Sequence, residues 1–403
     1  MIYIKKLFLF LFLINISFPN QADYSGVNFN NFGFSLFKEI NSSNSSDFSI
    51  SPISVAYALM MTNAGGSGQT SDEILSILGL SDSDLKKTHN HLKFYIADSK
   101  NNNLTFGNSI WIQNDNCYIP NQSYINQINS VFNGKVSFVN FYNDRLSIID
   151  SINIWVNDMT YGLIKDIVSE QDVKRTTKQV LVNTLHFKSN WQFVFDTSKT
   201  KMETFYSYNE NLMIPMMNKK NRYFHYQGEN FHLLDIPYEK HNISMLFLLP
   251  NDNISLDSLI ENINFNILEN HLDSSKFEFG NIFIPKFESE LSISLKDHLK
   301  NMGMKLPFEP GYASFDKFWD YTNICKKNPP KHYIDIINHK VGINIDEGGT
   351  EAAAATAVVI NRVTSIDPFL EPFEFKANHP FLYAIYDKKS KNILFLGKYT
   401  GIR

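Results

Sequence analysis

The chain has 403 residues, 43% of them hydrophobic and 19% charged, which suits a large buried core and excludes a disordered or fibrous chain. Its 37 Lys and Arg against 41 Asp and Glu leave a net charge of −4, which excludes a global basic field able to draw nucleic acid or an anionic membrane. Two cysteines, Cys117 and Cys325, allow one bridge at most and exclude a disulfide scaffold, so a packed core must carry the fold.

At the start, Lys5 and Lys6 precede an apolar run over residues 7–14 that then meets Asn15 and Pro19. A basic region ahead of an apolar stretch too short to span a bilayer predicts a secretory signal peptide over residues 1–22, cleaved somewhere within 18–25. The alternative is a buried N-terminal helix or strand. Secretion implies an extracellular protein without a membrane span, in which the N-x-[ST] sequons at Asn41, Asn44, Asn103, Asn121, Asn242 and Asn253 are candidate glycosylation sites. Further along, apolar residues at helical spacing predict a helix over 29–40, and Ser51-Pro52-Ile53-Ser54 opens another through 61. Ser71-Asp72-Glu73 is expected to cap a short helix through 78, with further helices over 82–98 and 147–167. Strands follow. Residues 179–187 (QVLVNTLHF) form a near-continuous apolar run, as expected of a strand covered on both faces, and 243–249, 334–345, 381–386 and 393–399 read similarly. Helices first and long strands later predict an α+β fold with a large sheet. No linker divides the chain, so residues 23–403 are expected to form a single domain.

Sites for catalysis are hard to find. Gly65-Gly66-Ser67-Gly68 follows a helix and lacks the Gly-Lys-[ST] ending of a phosphate loop. The metal-protease, C-x-x-C, G-x-S-x-G and EF-hand spacings do not occur, and His89 and His91 share no helical face. Lys219-Lys220-Arg222 and Lys326-Lys327 read as solvated turns, which leaves a polyanion site unsupported. No enzyme, metal or cofactor is expected.

Residues 346–364 stand apart. They follow the strand HKVGINID with an acidic Gly-Gly segment, four alanines and then Ala357-Val358-Val359-Ile360. Local chemistry favours an alanine-rich helix, since Ala is the best helix former. Read at period two, however, Thr350, Ala352, Ala354, Thr356, Val358 and Ile360 share one charge-free face, and Glu351 falls on the other. Such a face of small and then branched residues suits burial in a sheet.

Placed in order along the chain, several segments resemble the serpin family. H-K-V-G-I-N-I-D-E-G-G-T-E-A-A-A-A-T (339–356) resembles the hinge of inhibitory serpins, and N-H-P-F-L-Y-A-I-Y (378–386) with L-F-L-G-K-Y (394–399) resembles the C-terminal signature. F-S-I-S-P-I-S-V-A (48–56), L-V-N-T-L-H-F-K-S-N-W (181–191) and I-P-K-F (284–287) fit between them. The resemblance implies a serpin fold, with helices packed on a large central mixed β-sheet, two smaller sheets and an exposed reactive loop over about 347–372. It implies a suicide inhibitor acting as a monomer. A serine protease attacks the loop, forms a covalent acyl complex and is trapped when the hinge inserts into the main sheet.

Residue roles follow by position. Glu347, Gly348, Gly349, Thr350, Glu351, Ala352, Ala353, Ala354, Ala355 and Thr356 are the hinge. Ser51, Ser54, Asn183 and His339 resemble the shutter, and Trp191 the packing residue where the hinge first inserts. The plainer roles are a helix N-cap for Ser51 and Ser54 and core packing for Trp191. The reactive bond is placed among Arg362, Val363 and Thr364. Cleavage after Arg362 points to a trypsin-like protease and is preferred; cleavage after Val363 points to an elastase- or chymotrypsin-like one. The stretches 365–375 and 315–332 are longer than the family pattern, which leaves the count along the loop open. Alternatives are a non-inhibitory serpin acting as a carrier, and a surface-binding protein with the fold alone.

Overall fold

The computed structural model describes residues 27–114, 118–240, 242–321, 332–350 and 371–402. The reactive-bond residues Arg362, Val363 and Thr364, hinge residues Glu351 to Thr356, the N-terminal segment 1–26 and both cysteines lie outside them.

The helices are α1 (Asn30–Asn41), α2 (Pro52–Gly65), α3 (Gly68–Ile77), α4 (Leu85–Ser99), α5 (Gln122–Phe132), α6 (Phe141–Met159), α7 (Leu256–Asn262), α8 (Phe265–Asp273) and α9 (Lys296–Asn301). The strands are β1 (Phe48–Ile50), β2 (Leu104–Gln113), β3 (Tyr118–Pro120), β4 (Lys135–Val139), β5 (Gln179–Phe187), β6 (Ser189–Asn190), β7 (Lys201–Tyr206), β8 (Asn211–Gln227) and β9 (Phe231–Pro237). They continue as β10 (Ile243–Pro250), β11 (Lys276–Pro285), β12 (Phe287–Ser294), β13 (Trp319–Tyr321), β14 (Ile336–Ile345), β15 (Gly349–Thr350), β16 (Phe373–Lys376), β17 (Phe381–Asp387) and β18 (Asn392–Tyr399).

A seven-stranded mixed sheet runs β4-β2-β5-β14-β15-β6, with β12 on β14; β2–β4 and β5–β14 are parallel and the rest antiparallel. The other large network runs β1-β18-β17-β10-β9-β8-β11-β16, with β7 on β8. This network holds the two expected smaller sheets, which run into one another through β8, paired with β7 at one end and with β9 at the other.

Burial explains the apolar run of β5. Leu181 and Leu185 enter the main core, while Val180 and Val182 join a second core under α6 with Trp111, Ile148, Ile152 and Ile336. Each such side chain contributes about 2 kcal/mol when withdrawn from water. On the other face α2 packs against β2, β5 and β18, and it is buried on almost every side, as a helix apolar all round must be.

Three local expectations are corrected. Ser71 is no cap: α3 starts at Gly68, and the Ser71 hydroxyl donates to Asn63 Oδ1 at 2.7 Å from within the helix. The helix expected over 147–167 is α6, which starts earlier, where Asn140 caps it by accepting from the Asn143 amide. It stops at Thr160, whose hydroxyl donates to Val156 O and accepts from the Ile164 amide, before Tyr161 and Gly162 turn to positive φ. The ten-residue strand β2 lies in the third of the chain that reads mainly helical. Its Gly107 looks like a breaker, yet a Cβ there would lie 2.4 Å from Thr184 Oγ1, so the close pairing of β2 with β5 requires glycine.

Candidate functional site: a hinge seated at the top of an open strand pair

β5 and β14 lie side by side in parallel, but their register pairs only Val180–Asn183 with Ile336–His339. Above this point β5 continues against β2, and β14 against β12. Among the described residues, 184–188 and 340–344 therefore carry inward-facing backbone groups that no strand between them takes up. The outer face of this slot borders a cavity of about 1200 Å³ lined in part by Thr105, Tyr161, Leu163, His186, Asn190 and Glu239.

Residues expected to belong to the hinge close the upper end. After β14 the chain reverses over 346–348 and returns as β15, with Thr350 opposite Ile345 on one side and Ser189 on the other. Asp346 sets the reversal: its Oδ1 accepts from the amides of Gly348 (2.7 Å) and Gly349 (3.1 Å). Gly349 has φ +153°, and a Cβ would lie 2.1 Å from Ser189 O, so only glycine lets the hinge approach β6 this closely. Trp191 holds the same turn through its amide to Gly348 O (2.8 Å) and its indole N–H to Asp346 O (2.9 Å). Its ring stacks on Tyr238 at 4.5 Å, and the Tyr238 hydroxyl meets Thr350 Oγ1 in the buried interior.

Glu347 is tied down as firmly. Its carboxylate pairs with Lys286 Nζ at 2.7 Å and accepts from Thr200 Oγ1 at 2.7 Å, while its carbonyl accepts from the Phe195 amide. Burial acts to raise its pKa, but the bonds from Lys286 and Thr200 outweigh it and leave the carboxyl below its usual range.

The lower end is closed by a buried polar cluster. His339 of β14 lies with Nδ1 2.8 Å from Asn183 Oδ1 and Nε2 3.1 Å from the Ser51 amide. The Ser51 N–H can only donate, so Nε2 is the acceptor and Nδ1–H donates to Asn183. The Asn183 amide then donates to Asn108 Oδ1 (2.7 Å) and to Ser54, whose hydroxyl donates to Thr184 O (3.1 Å). Burial pushes the His339 pKa down to about 3, so the ring is neutral at every ordinary pH.

The structure thus brings Ser51, Ser54, Asn183 and His339 into one cluster, and Trp191, Glu347, Gly348, Gly349 and Thr350 into another. Ser51 contributes its backbone: it sits at the N-cap of α2 without a side-chain cap bond, and its hydroxyl has no partner among the described residues. Ser54 lies inside α2 and is no cap. Tyr238, Thr200 and Asn108 went unnoticed because they meet the site only through pairing of distant segments. Lys286 stood inside the I-P-K-F segment, which was its one visible signal.

The candidate glycosylation residues are scattered. Asn242 and Asn253 are exposed, and Asn41, Asn44 and Asn103 are half-buried. Asn121 caps α5 by accepting from the amides of Ser123 and Tyr124. Among the described residues no group of three or more His, Cys, Asp or Glu could hold a metal, and no helix is long and apolar enough to cross a membrane.

Two outcomes follow from this geometry. His339 titrates near 6.5 when unfolded and about 3 when folded, so protons favour the unfolded chain. The stability it confers is complete above pH 6.5 and is lost as pH falls towards 3, by roughly 1 kcal/mol per pH unit. His339→Gln is expected to lower the urea midpoint at pH 7.5 and to shrink the further drop between pH 7.5 and 5.0; an undiminished drop would contradict the assignment. Gly349→Ala is expected to unseat β15 at a cost of about 1–3 kcal/mol. Amide exchange at Trp191 and Phe195 should then accelerate, whereas unchanged exchange would show that this glycine does not seat the hinge.

Comparison with known proteins agrees with the geometry. Residues 27–402 match the model of the family described as Serpin (serine protease inhibitor). An uncharacterized serpin-like protein of Thermococcus kodakarensis is 32% identical over 92% of this chain and 84% of its own length. The leukocyte elastase inhibitor of Xenopus tropicalis is 30% identical over 92% of this chain and 97% of its own. The crystal structure of the thermophilic serpin Tengpin in the native state superposes with a TM-score of 0.81 at 25% identity, covering 93% of each chain. The chain belongs to the serpin family, whose members are mostly protease inhibitors.

Proposed function

We propose that this protein is a secreted suicide inhibitor of serine proteases, with the slot between β5 and β14 as the receiving site for its cleaved hinge. The observation that carries this reading is the position of β15. Its two residues already occupy the mouth of the slot, antiparallel to β14 and β6. Continuing that register sets Glu351 opposite Asn344, Ala352 opposite Ile343, Ala353 opposite Gly342, Ala354 opposite Val341, Ala355 opposite Lys340 and Thr356 opposite His339. Val341, Ile343 and Ile345 are buried, and Asn344 is exposed. The charge-free face Thr350, Ala352, Ala354, Thr356 then falls on the core side and Glu351 on the solvent side. A strand placed there would pair the free backbone rows on both sides, each bond contributing about 1 kcal/mol.

In this reading a protease cuts the loop through an acyl-enzyme, and the freed hinge zips downward from Thr350. Hydrolysis of the ester is blocked when insertion carries the attached protease away. Arg362 selects a trypsin-like target, with cleavage after Val363 by an elastase-like protease as the competing assignment. The signal-peptide pattern at residues 1–22 supports an extracellular target. The name of the Xenopus elastase inhibitor supports inhibition by this architecture.

Mixing the mature protein with trypsin, plasmin, elastase and chymotrypsin is expected to give a covalent band on denaturing gels with one of them. Cleavage by all four without a complex would refute inhibition, and the mass of the released C-terminal peptide separates Arg362 from Val363. Thr350→Arg is expected to turn the inhibitor into a substrate, because insertion would bury an unpaired charge at a cost of several kcal/mol. Wild-type stoichiometry in that variant would refute insertion through β15.

A further inference from the structure

Beside β16 the sheet shows a face whose large apolar side chains nothing covers among the described residues. Phe224 of β8 and Phe277 of β11 lie opposite one another, 45% and 51% exposed, with ring centroids 4.9 Å apart. Side chains on a strand alternate between its faces, so Arg222 and Lys220 share the face of Phe224, with Phe279 and Asn281 across from them on β11. Both cations are exposed, and neither is ion-paired among the described residues. The solvated turn expected at Lys219-Lys220-Arg222 is therefore corrected, since these residues lie inside the 17-residue strand β8. Lys388 also reaches the rim, 5.7 Å from the centre of the Phe224 ring, but Asp235 takes its charge at 2.7 Å.

The direction of β16 decides which part of the chain meets this face. β16 pairs in parallel with β11, with Phe373 opposite Gly280 and Lys376 opposite Phe283. On the far face Phe373 is held by stacking on His225 at 3.6 Å, in space that Gly280 leaves open. Because the strands are parallel, the chain enters β16 from the end of β11 at which Phe277 stands. Phe277 precedes Gly280 by three positions, about 10 Å along a strand, and three residues of chain ahead of Phe373 can span the same distance. Residues 369 and 370 thus reach the aromatic pair with β16 left where it is. On that side β16 covers only 280–283 of β11, which leaves the neighbouring edge open to them among the described residues.

The chemistry of the segment fits the face. Asp367-Pro368-Phe369-Leu370-Glu371 sets two large apolar side chains beside carboxylates, and the face sets two aromatic rings beside free cations. Two free cations are few for a polyanion, whose binding grows with the number of charges neutralised. A second copy would have to compete with a segment that the chain itself tethers within reach, at a high effective concentration.

We propose that Phe369 and Leu370 dock on the Phe224–Phe277 face, with the Asp367 carboxylate drawn to the Arg222 guanidinium. Docking would shorten the free span after Thr350 from 351–370 to 351–366. That consequence for a reactive loop rests on the inhibitory reading, whereas the docking itself does not.

The test uses thermolysin, which cuts before large apolar residues and, as a zinc protease, forms no acyl-enzyme that could be trapped. Initial cleavage rates on the full chain are read by mass spectrometry at Phe369–Leu370 and at the bonds before Val358, Val359 and Ile360. Each rate is divided by that of the same bond in a synthetic 351–376 peptide. The Phe369–Leu370 bond is expected to be protected about tenfold or more relative to the others. Phe224→Ser combined with Phe277→Ser is expected to bring that ratio below about threefold. Arg222→Glu is expected to lower it as well, and Asp367→Arg added to Arg222→Glu to restore it; this pair keeps both rings and decides the matter if the serine variant does not fold. A wild-type ratio below about threefold would overturn the docking, as would full protection in both the serine variant and Arg222→Glu. An unprotected bond together with a sedimenting dimer that the serine variant dissolves would give the face to a second copy instead. No serine protease takes part, so the outcome is separate from whether the protein inhibits one.

Discussion

Across the upper halves of β5 and β14, rows of N–H and C=O groups face one another and, among the described residues, no strand lies between them, inside a sheet where such groups are ordinarily paired. Every feature of the site answers to that slot. On the proposed inhibitory reading, filling it would supply a ladder of hydrogen bonds at about 1 kcal/mol each, so that the open sheet would have to be held as it is. Two devices hold it, one at each end.

They work by different physics. The lower one is a fully buried network in which His339, Asn183, Ser54, Asn108 and the Ser51 amide satisfy one another across β14, β5, β2 and the start of α2. Its members are neutral, so bonds of fixed direction hold the strands together without a buried charge. The upper device is steric and aromatic. Gly349 permits close approach to β6, Trp191 and Tyr238 wall the mouth, and the Lys286–Glu347 pair anchors the turn from outside. Thr350 sits inside that mouth, opposite Ile345 on one side and Ser189 on the other.

The cover over the sheet follows the same division. The α6 core, with Ile148, Ile152 and Val156 packed on Val180 and Val182, lies where β5 and β14 are paired. Higher up, the cavity beside Tyr161, Leu163 and His186 lies over the part where they are not. A packed core resists strand separation because its side chains interdigitate, whereas an open face can admit another strand without dismantling one.

Much of this was legible in the amino-acid order. Apolar spacing located α1, the Ser51-Pro52 start located α2 and an unbroken apolar run located β5, because each of these signals lies within one element. The run HKVGINIDEGGT announced a strand and the turn after it, found as β14 and the reversal into β15, while the alanines that follow lie outside the described residues. Three things were decided by tertiary structure alone. β2 forms despite Gly107 because Thr184 of a neighbouring strand fills the space beside it. Thr350 is buried because Tyr238, over a hundred residues away, reaches it. His225 and His232 meet each other, Glu278 and Phe373 only where four strands come together. Local sequence determines which residues can enter a sheet, since that depends on their own size and charge. Which rows of backbone lack a partner, and what stands guard over them, depends on strand register between distant segments and is settled only when the chain has packed.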